Sequence, residues 1–239
     1  MKKNIHFNEI SIIMPCFNEE NNIEEAIRNT LNILQLKKIK GEIIVVNDAS
    51  TDNSEFIIKK LVRDDNRLKL ITHDKNYGIG KSFSDGVKEA KYKYCIMIPG
   101  DNENSPLESL KYLYLTNHVD IIIPFIHNLE VRSFSRRILS STFRLIINIS
   151  FGTNFNYTNG TVIYKTALIK SLSLYSYGFF YQAEILIRLV RRGYLFAEIP
   201  QIISKRNSGK SKALTLNSIM DVCKAFLILF WNIHILRSE

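Results

Sequence analysis

Cysteine is scarce in this 239-residue chain. Cys16, Cys95 and Cys223 lie far apart, are odd in number and form no Cys-x-x-Cys pair. That spacing excludes a disulfide framework and a zinc knuckle, and it fits a reducing compartment. Long hydrophobic runs are missing as well. The apolar stretch at 225–236 is interrupted by Asn232 and His234, and it falls short of the roughly 20 residues that span a bilayer. Lys2 and Lys3 open the chain with no apolar run behind them, unlike a secretory leader. The sequence therefore predicts a cytoplasmic protein without a transmembrane helix. His6, His73, His118, His127 and His234 show no metal-ligand spacing. There is no internal repeat and no low-complexity segment.

Acidic residues are in short supply only in the second half. Residues 1–127 hold 17 Lys+Arg and 18 Asp+Glu, whereas residues 128–239 hold 15 and 5. The net charge of +9 thus resides wholly in the second half, which suits an anionic partner such as phosphate or a lipid surface. No nucleic-acid-binding module accompanies the charge, so nucleic acid is not expected as a partner.

What is present is a regular alternation. Apolar runs at 9–15, 42–46, 67–72, 92–98, 119–124, 159–164 and 195–200 predict strands. Helices are predicted after 18–22, with apolar Ile23, Ala26, Ile27, Leu31 and Leu34, and at 54–62, 80–90, 106–117 and 180–192. Five prolines punctuate the pattern, among them Pro15 and Pro124 at strand ends and Pro106 at a helix start. The rhythm predicts an α/β, Rossmann-like, mostly parallel sheet with helices on both faces, spanning residues 1–213. Residues 132–150 are basic and amphipathic, and 214–239 form an apolar helical extension.

The chemistry concentrates at strand ends. Residues 95–98 form an apolar strand stopped by Pro99 and Gly100, and Asp101 and Glu103 follow. Ligands of open α/β sheets bind at the carboxyl ends of strands, and magnesium takes one or two carboxylates plus phosphate oxygens. A metal–diphosphate site and a plain acidic turn before a helix account equally for this pair. Pro15-Cys16-Phe17-Asn18-Glu19-Glu20 suits a nucleotide and a helix cap alike, and so does Asn47-Asp48-Ala49-Ser50-Thr51-Asp52. The run 76–82 satisfies neither a P-loop, because position 75 is Lys, nor a dinucleotide fingerprint, because position 83 is Phe. It reads as a glycine turn that brings Lys81 near phosphate, or as an ordinary turn.

In order, Pro15 to Glu19, Asn47 to Asp52, Asn76 to Gly78 and Pro99-Gly100-Asp101-Asn102-Glu103 resemble family 2 glycosyltransferases of the GT-A fold, especially the polyprenyl-phosphate (dolichyl-phosphate-like) sugar synthases. Asn159-Gly160, Gly178 to Glu184, Gly193 to Pro200 and Arg206-x-x-Gly209-x-Ser211-Lys212 continue the series. The resemblance covers about residues 8–213. It implies a nucleotide-diphosphate sugar donor bound by Pro15, Cys16, Phe17, Asn18, Glu19, Asp48, Ser50, Gly78, Lys81, Gly100 and Asp101. It further implies Mg2+ or Mn2+ on Asp101 and Glu103, with Glu184 beside the acceptor as its base if that acceptor is a hydroxyl. Arg132, Arg136, Ser140, Arg206 and Lys212 would hold acceptor or donor phosphates, the acceptor being a polyprenyl phosphate at the membrane surface.

Two departures stand out: Asn47 and Pro99 replace the first Asp of their motifs. A glycan or soluble hydroxyl acceptor is the alternative, because many lipid-type relatives carry membrane helices that are absent here. A non-catalytic nucleotide- or lipid-binding relative is the second. The C-terminal helix suits the membrane interface, the core or a second subunit in a homo-oligomer.

Overall fold

The computed structural model describes residues 9–202 and 216–236. Seven strands form one sheet in the order β3-β2-β1-β4-β6-β5-β7. They are β1 (Glu9–Cys16), β2 (Lys40–Asn47), β3 (Leu68–Thr72), β4 (Tyr94–Met97), β5 (Ile121–Ile126), β6 (Ile163–Lys165) and β7 (Phe196–Gln201). All neighbours pair in parallel except β6, which runs antiparallel to both β4 and β5. The helices are α1 (Ile23–Leu36), α2 (Ser54–Asp64), α3 (Ile79–Lys88), α4 (Pro106–Leu110), α5 (Phe134–Phe151), α6 (Thr166–Lys170), α7 (Tyr181–Arg191) and α8 (Leu216–Trp231).

Side-chain alternation along each strand splits the core in two. Ile10, Ile12, Met14, Ile43, Val45 and Ile96 face a layer containing Ile27 of α1 and Ile58 of α2. Ile13, Ile44, Val46, Cys95 and Met97 face the opposite layer, with Phe83 of α3, Ile185 and Leu189 of α7 and Leu229 of α8. Strands buried on both faces explain the near-continuous Ile/Val runs of β1 and β2. This is the expected doubly covered α/β architecture.

Two departures have local causes. The helix expected at 106–117 breaks into α4 and a 3-10 turn, Leu113–Asn117. There the Thr116 hydroxyl donates to Leu113 O at 2.7 Å, and Thr116 O accepts from the Tyr94 hydroxyl at 2.9 Å. The strand expected at 159–164 shrinks to Ile163–Lys165, because the Gln182 amide captures both backbone groups of Gly160. Gly160 N donates to Gln182 Oε1 at 2.9 Å, and Gln182 Nε2 donates to Gly160 O at 2.6 Å. The C-terminal helix expected over 214–239 is present across the described residues 216–236. Among the described residues, Ser218–Leu236 alone is long and apolar enough to cross a membrane by length and composition, so the length argument against a span does not hold. In the structure it packs on the core through Ala225, Leu229 and Ile233.

Gly86 seats α3 on the sheet: a Cβ there would lie 2.6 Å from Ile13 Cγ2 and 3.2 Å from Val46 Cγ2. Gly86→Ala is expected to overpack this contact and lower stability by about 1–3 kcal/mol, measured by equilibrium urea unfolding.

Candidate active site

The carboxyl ends of β1, β2 and β4 meet at one edge of the sheet. Asp48 N donates to Cys16 O at 2.9 Å, and Gly100 N donates to Pro15 O at 3.0 Å. The loops after β1 and β2 are laced together further out. Asn18 Oδ1 accepts from Thr51 N at 2.8 Å, while Ser50 Oγ and Ser54 Oγ accept from the Asn18 and Glu19 amides. Asp52 Oδ2 accepts from Glu20 N at 3.0 Å. Burial pushes the Asp52 carboxyl up, but the Ser54 hydroxyl and amide and the Glu20 amide outweigh it and hold the group below its ordinary value. Asn18, Ala49 and Asn102, one in each of the three loops, have left-handed backbones at φ 57°, 59° and 56°. Asparagine tolerates this conformation, whereas alanine gains nothing from it.

Asp48 is 4% exposed. Its carboxylate accepts from His73 Nδ1 at 2.7 Å, Tyr77 N at 2.9 Å and Gly78 N at 2.8 Å. The side chain expected to meet a base thus anchors the β3–α3 connection first. Asn47, fully buried, donates to Glu55 Oε2 and accepts from Ser50 N. It supports the turn rather than facing a ligand. Cys16 offers no thiolate: burial pushes its thiol up to about 11, against hydrogen bonds from Ser54 and Ser50. Phe17 and Pro15 are half-buried at the same edge.

Gly78, at φ +90°, opens α3. Gly80 N donates to Tyr177 O at 2.9 Å, and a Cβ on Gly80 would come within 2.6 Å of that oxygen. Lys81 binds Asp85 at 2.7 and 2.5 Å and lies over the Tyr177 ring, 5.7 Å from its centroid. A phosphate would compete with Asp85 for it.

The acidic loop carries half-buried Asp101 and exposed Glu103. Asp101 Oδ1 accepts from Glu103 N at 3.1 Å. Both are hard oxygen donors. Among the described residues no three His, Cys, Asp or Glu side chains gather as a metal cage. This donor set fits magnesium or manganese completed by substrate phosphates.

Glu184 is fully buried. Oε1 accepts from Tyr175 N at 2.8 Å and from Arg188 Nη1 at 3.0 Å, and Oε2 accepts from Ser176 N at 3.0 Å. Burial pushes its carboxyl above the usual range, offset in part by the Tyr175 amide and by Arg188. Glu184, expected beside the acceptor, has both carboxylate oxygens engaged in shaping the loop before α7. Arg132 donates to the Tyr157 hydroxyl at 3.0 Å, and Ser140 Oγ donates to Arg137 O at 3.0 Å, with Arg136 half-buried on the same helix. Arg206 and Lys212 lie outside the described residues.

The family model for glycosyl transferase family 2 matches residues 11–175, more than half of the chain. The chain belongs to glycosyl transferase family 2. An uncharacterized protein of Methanocaldococcus jannaschii is 28% identical over 227 residues, 89% of this chain and 95% of that one. The poly-beta-1,6-N-acetyl-D-glucosamine synthase of Staphylococcus aureus is 33% identical over 92 residues, covering 38% of this chain and only 21% of that protein. Glucosyl-3-phosphoglycerate synthase from Mycobacterium tuberculosis in complex with UDP superposes with a TM-score of 0.72 at 16% identity, covering 93% of this chain and 80% of that one. Its complex with Mn2+, UDP and glucosyl-3-phosphoglycerate gives 0.68 at 17% identity, over 93% and 80% of the chains. At that identity the likeness establishes a shared fold, GT-A, and by its family the chain is a glycosyltransferase.

Within this glycosyltransferase, sequence reasoning passed over His73, Gln182 and Tyr177. His73 was findable as the first residue after the third strand, at the same edge as Asp48. Nothing local marks the other two, whose partners lie 22 and 97 positions away.

Two outcomes follow from these contacts. Glu184→Gln is expected to lower stability by about 3 kcal/mol, because it leaves Arg188 buried without its counter-charge. Intact thermal stability with lost turnover would instead mark Glu184 as a base. Ala49→Gly is expected to relieve the left-handed backbone and raise stability by about 1 kcal/mol, read by denaturant midpoint.

Proposed function

We propose that this glycosyltransferase moves a sugar, with inversion, from a nucleotide-diphosphate donor to a polyprenyl phosphate at a membrane surface. The observation that carries the acceptor is the outer face of α5. Phe134, Ile138, Leu145 and Ile149 recur at helical spacing and are 51% or more exposed, beside Arg132, Arg136, Arg137 and Arg144. An apolar stripe rimmed by arginines matches an interface rich in anionic headgroups. α8 packs against the end of α5 through Phe151–Phe226 and Phe151–Phe230 ring contacts. It leaves Met220, Leu227 and Trp231 exposed, which extends the apolar surface. The chain would then lie on the membrane peripherally, from the cytoplasmic side.

Asp101 and Glu103 are the residues to hold Mg2+ or Mn2+. When bound, the ion neutralises charge on the departing diphosphate. The strand ends of β1 and β2 and the Gly78–Lys81 turn orient the nucleotide, while Gly80 and Tyr177 fix that turn against the second half of the chain. Arg136 and Ser140 face the acceptor phosphate. A phosphate oxygen is already ionised at neutral pH, so its attack on the anomeric carbon needs no base. The buried position of Glu184 accords with that.

Labelled UDP- and GDP-sugars are to be incubated with polyprenyl phosphate, with and without EDTA. Transfer is expected to require the metal and to fall about 100-fold or more in Asp101→Ala. Absence of lipid-linked product, with transfer to a hydroxyl acceptor instead, overturns the acceptor. Sedimentation with anionic vesicles is expected to weaken as salt rises, and salt-insensitive or absent binding overturns the membrane surface.

A further inference from the structure

The imidazole of His73 lies between two carboxylates. Nδ1 is hydrogen-bonded to Asp48 Oδ1 at 2.7 Å, whereas Nε2, buried and with no hydrogen-bond partner, lies 3.3 Å from Asp85 Oδ2, within ion-pair distance. The side chain is 8% exposed, with the Tyr77 ring edge-on at 5.3 Å. A neutral imidazole carries one N–H and one lone pair, so in either tautomer one carboxylate meets a lone pair. Only the doubly protonated ring donates toward both. The charged groups around it come from three elements. Asp48 follows β2. Asp85, Lys81 and Lys88 belong to α3, and both lysines bind Asp85. Asp74, Lys75 and Tyr77 belong to the connection, where Lys75 sits over the Tyr77 ring. Asp85 also lines an open groove of about 610 Å³ beside β3, together with Lys69, Ile71 and Lys88. The same Asp48 carboxylate holds the Tyr77 and Gly78 amides.

We propose that His73 is a positioning residue for the donor site. Its doubly protonated ring bridges Asp48 and Asp85 and latches the residue 73–78 turn in its nucleotide-binding shape; loss of the second proton loosens the turn. The inference rests on the reading that this edge of the sheet binds the donor nucleotide.

The test follows the ring nitrogens of His73 by 15N NMR across about pH 5 to 9. In parallel, UDP and GDP binding with MnCl2 is measured by calorimetry. Affinity is expected to fall about tenfold, the size of a typical coupling, over the pH interval in which His73 loses its second proton. His73→Asn and His73→Gln are expected to bind at the lower level with a flat pH profile. Asp85→Asn, which keeps the Asp48 contacts, is expected to flatten the same profile, so the test survives if a His73 variant fails to fold. Affinity indifferent to the ring's titration, or an unchanged profile in the variants, overturns the latch. If neither nucleotide binds at any pH, the donor reading fails instead. The latch is then decided in the free protein: Tyr77 and Gly78 amide signals that track the His73 titration support it, and stationary signals overturn it.

Discussion

The sheet edge where β1 and β2 end depends on a buried carboxylate that gathers hydrogen-bond donors from a single turn. Asp48 sits just past β2 and is tied to β1 through its own amide. At 4% exposure, its charge has little water to stabilise it, so the His73 ring and the Tyr77 and Gly78 amides do so instead. Hydrogen bonds to an ionised acceptor are stronger than neutral ones, and the low surrounding dielectric strengthens them further. The direction of the chain entering α3, and with it the placement of Gly80 and Lys81, is a consequence.

A second clamp does for the other half what Asp48 does for the first. Glu184 and Arg188 on α7 hold residues 173–176, through the Tyr175 and Ser176 amides and Ser173 O. Tyr177, next in the chain, accepts from Gly80 N. The two clamps are therefore joined by a backbone hydrogen bond at the start of α3. A buried ion pair of this kind contributes little net stability, because desolvation offsets its attraction. Its effect is to fix one arrangement of a loop whose aromatic side chains, Tyr175 and Tyr177, stay partly exposed. The charge asymmetry of the chain follows the same division: a nearly neutral half carries the carboxyl ends of β1, β2 and β4, and a strongly basic half carries α5 and the apolar surface around it.

Much of this was legible beforehand. The Ile/Val runs of β1 and β2 and the proline stops mark the strands, because the doubly buried strand has a composition that few other elements share. The order of strand-end motifs located the sheet edge and the acidic pair at Asp101 and Glu103. Glu184 shows where legibility ended. Its spacing within an amphipathic helix suits an exposed acid and a buried clamp equally, and Arg188 four residues on does not separate them. Asn18 and Ser50 look like ligand groups in isolation, but they are spent on bracing one loop against another across some 30 residues of sequence.

The sequence by itself determined the alternation of strands and helices, the edge at which chemistry collects and the uneven charge, since each follows from periodicity, turn residues and composition within short windows. Only the tertiary structure decided which polar side chains pair with each other. It reversed β6 between parallel neighbours, buried Glu184, and set His73 between Asp48 and Asp85. The physical reason is that a hydrogen bond joins groups by distance in space, and these partners lie 12 or more residues apart or in loops whose direction is set by the packing of the sheet.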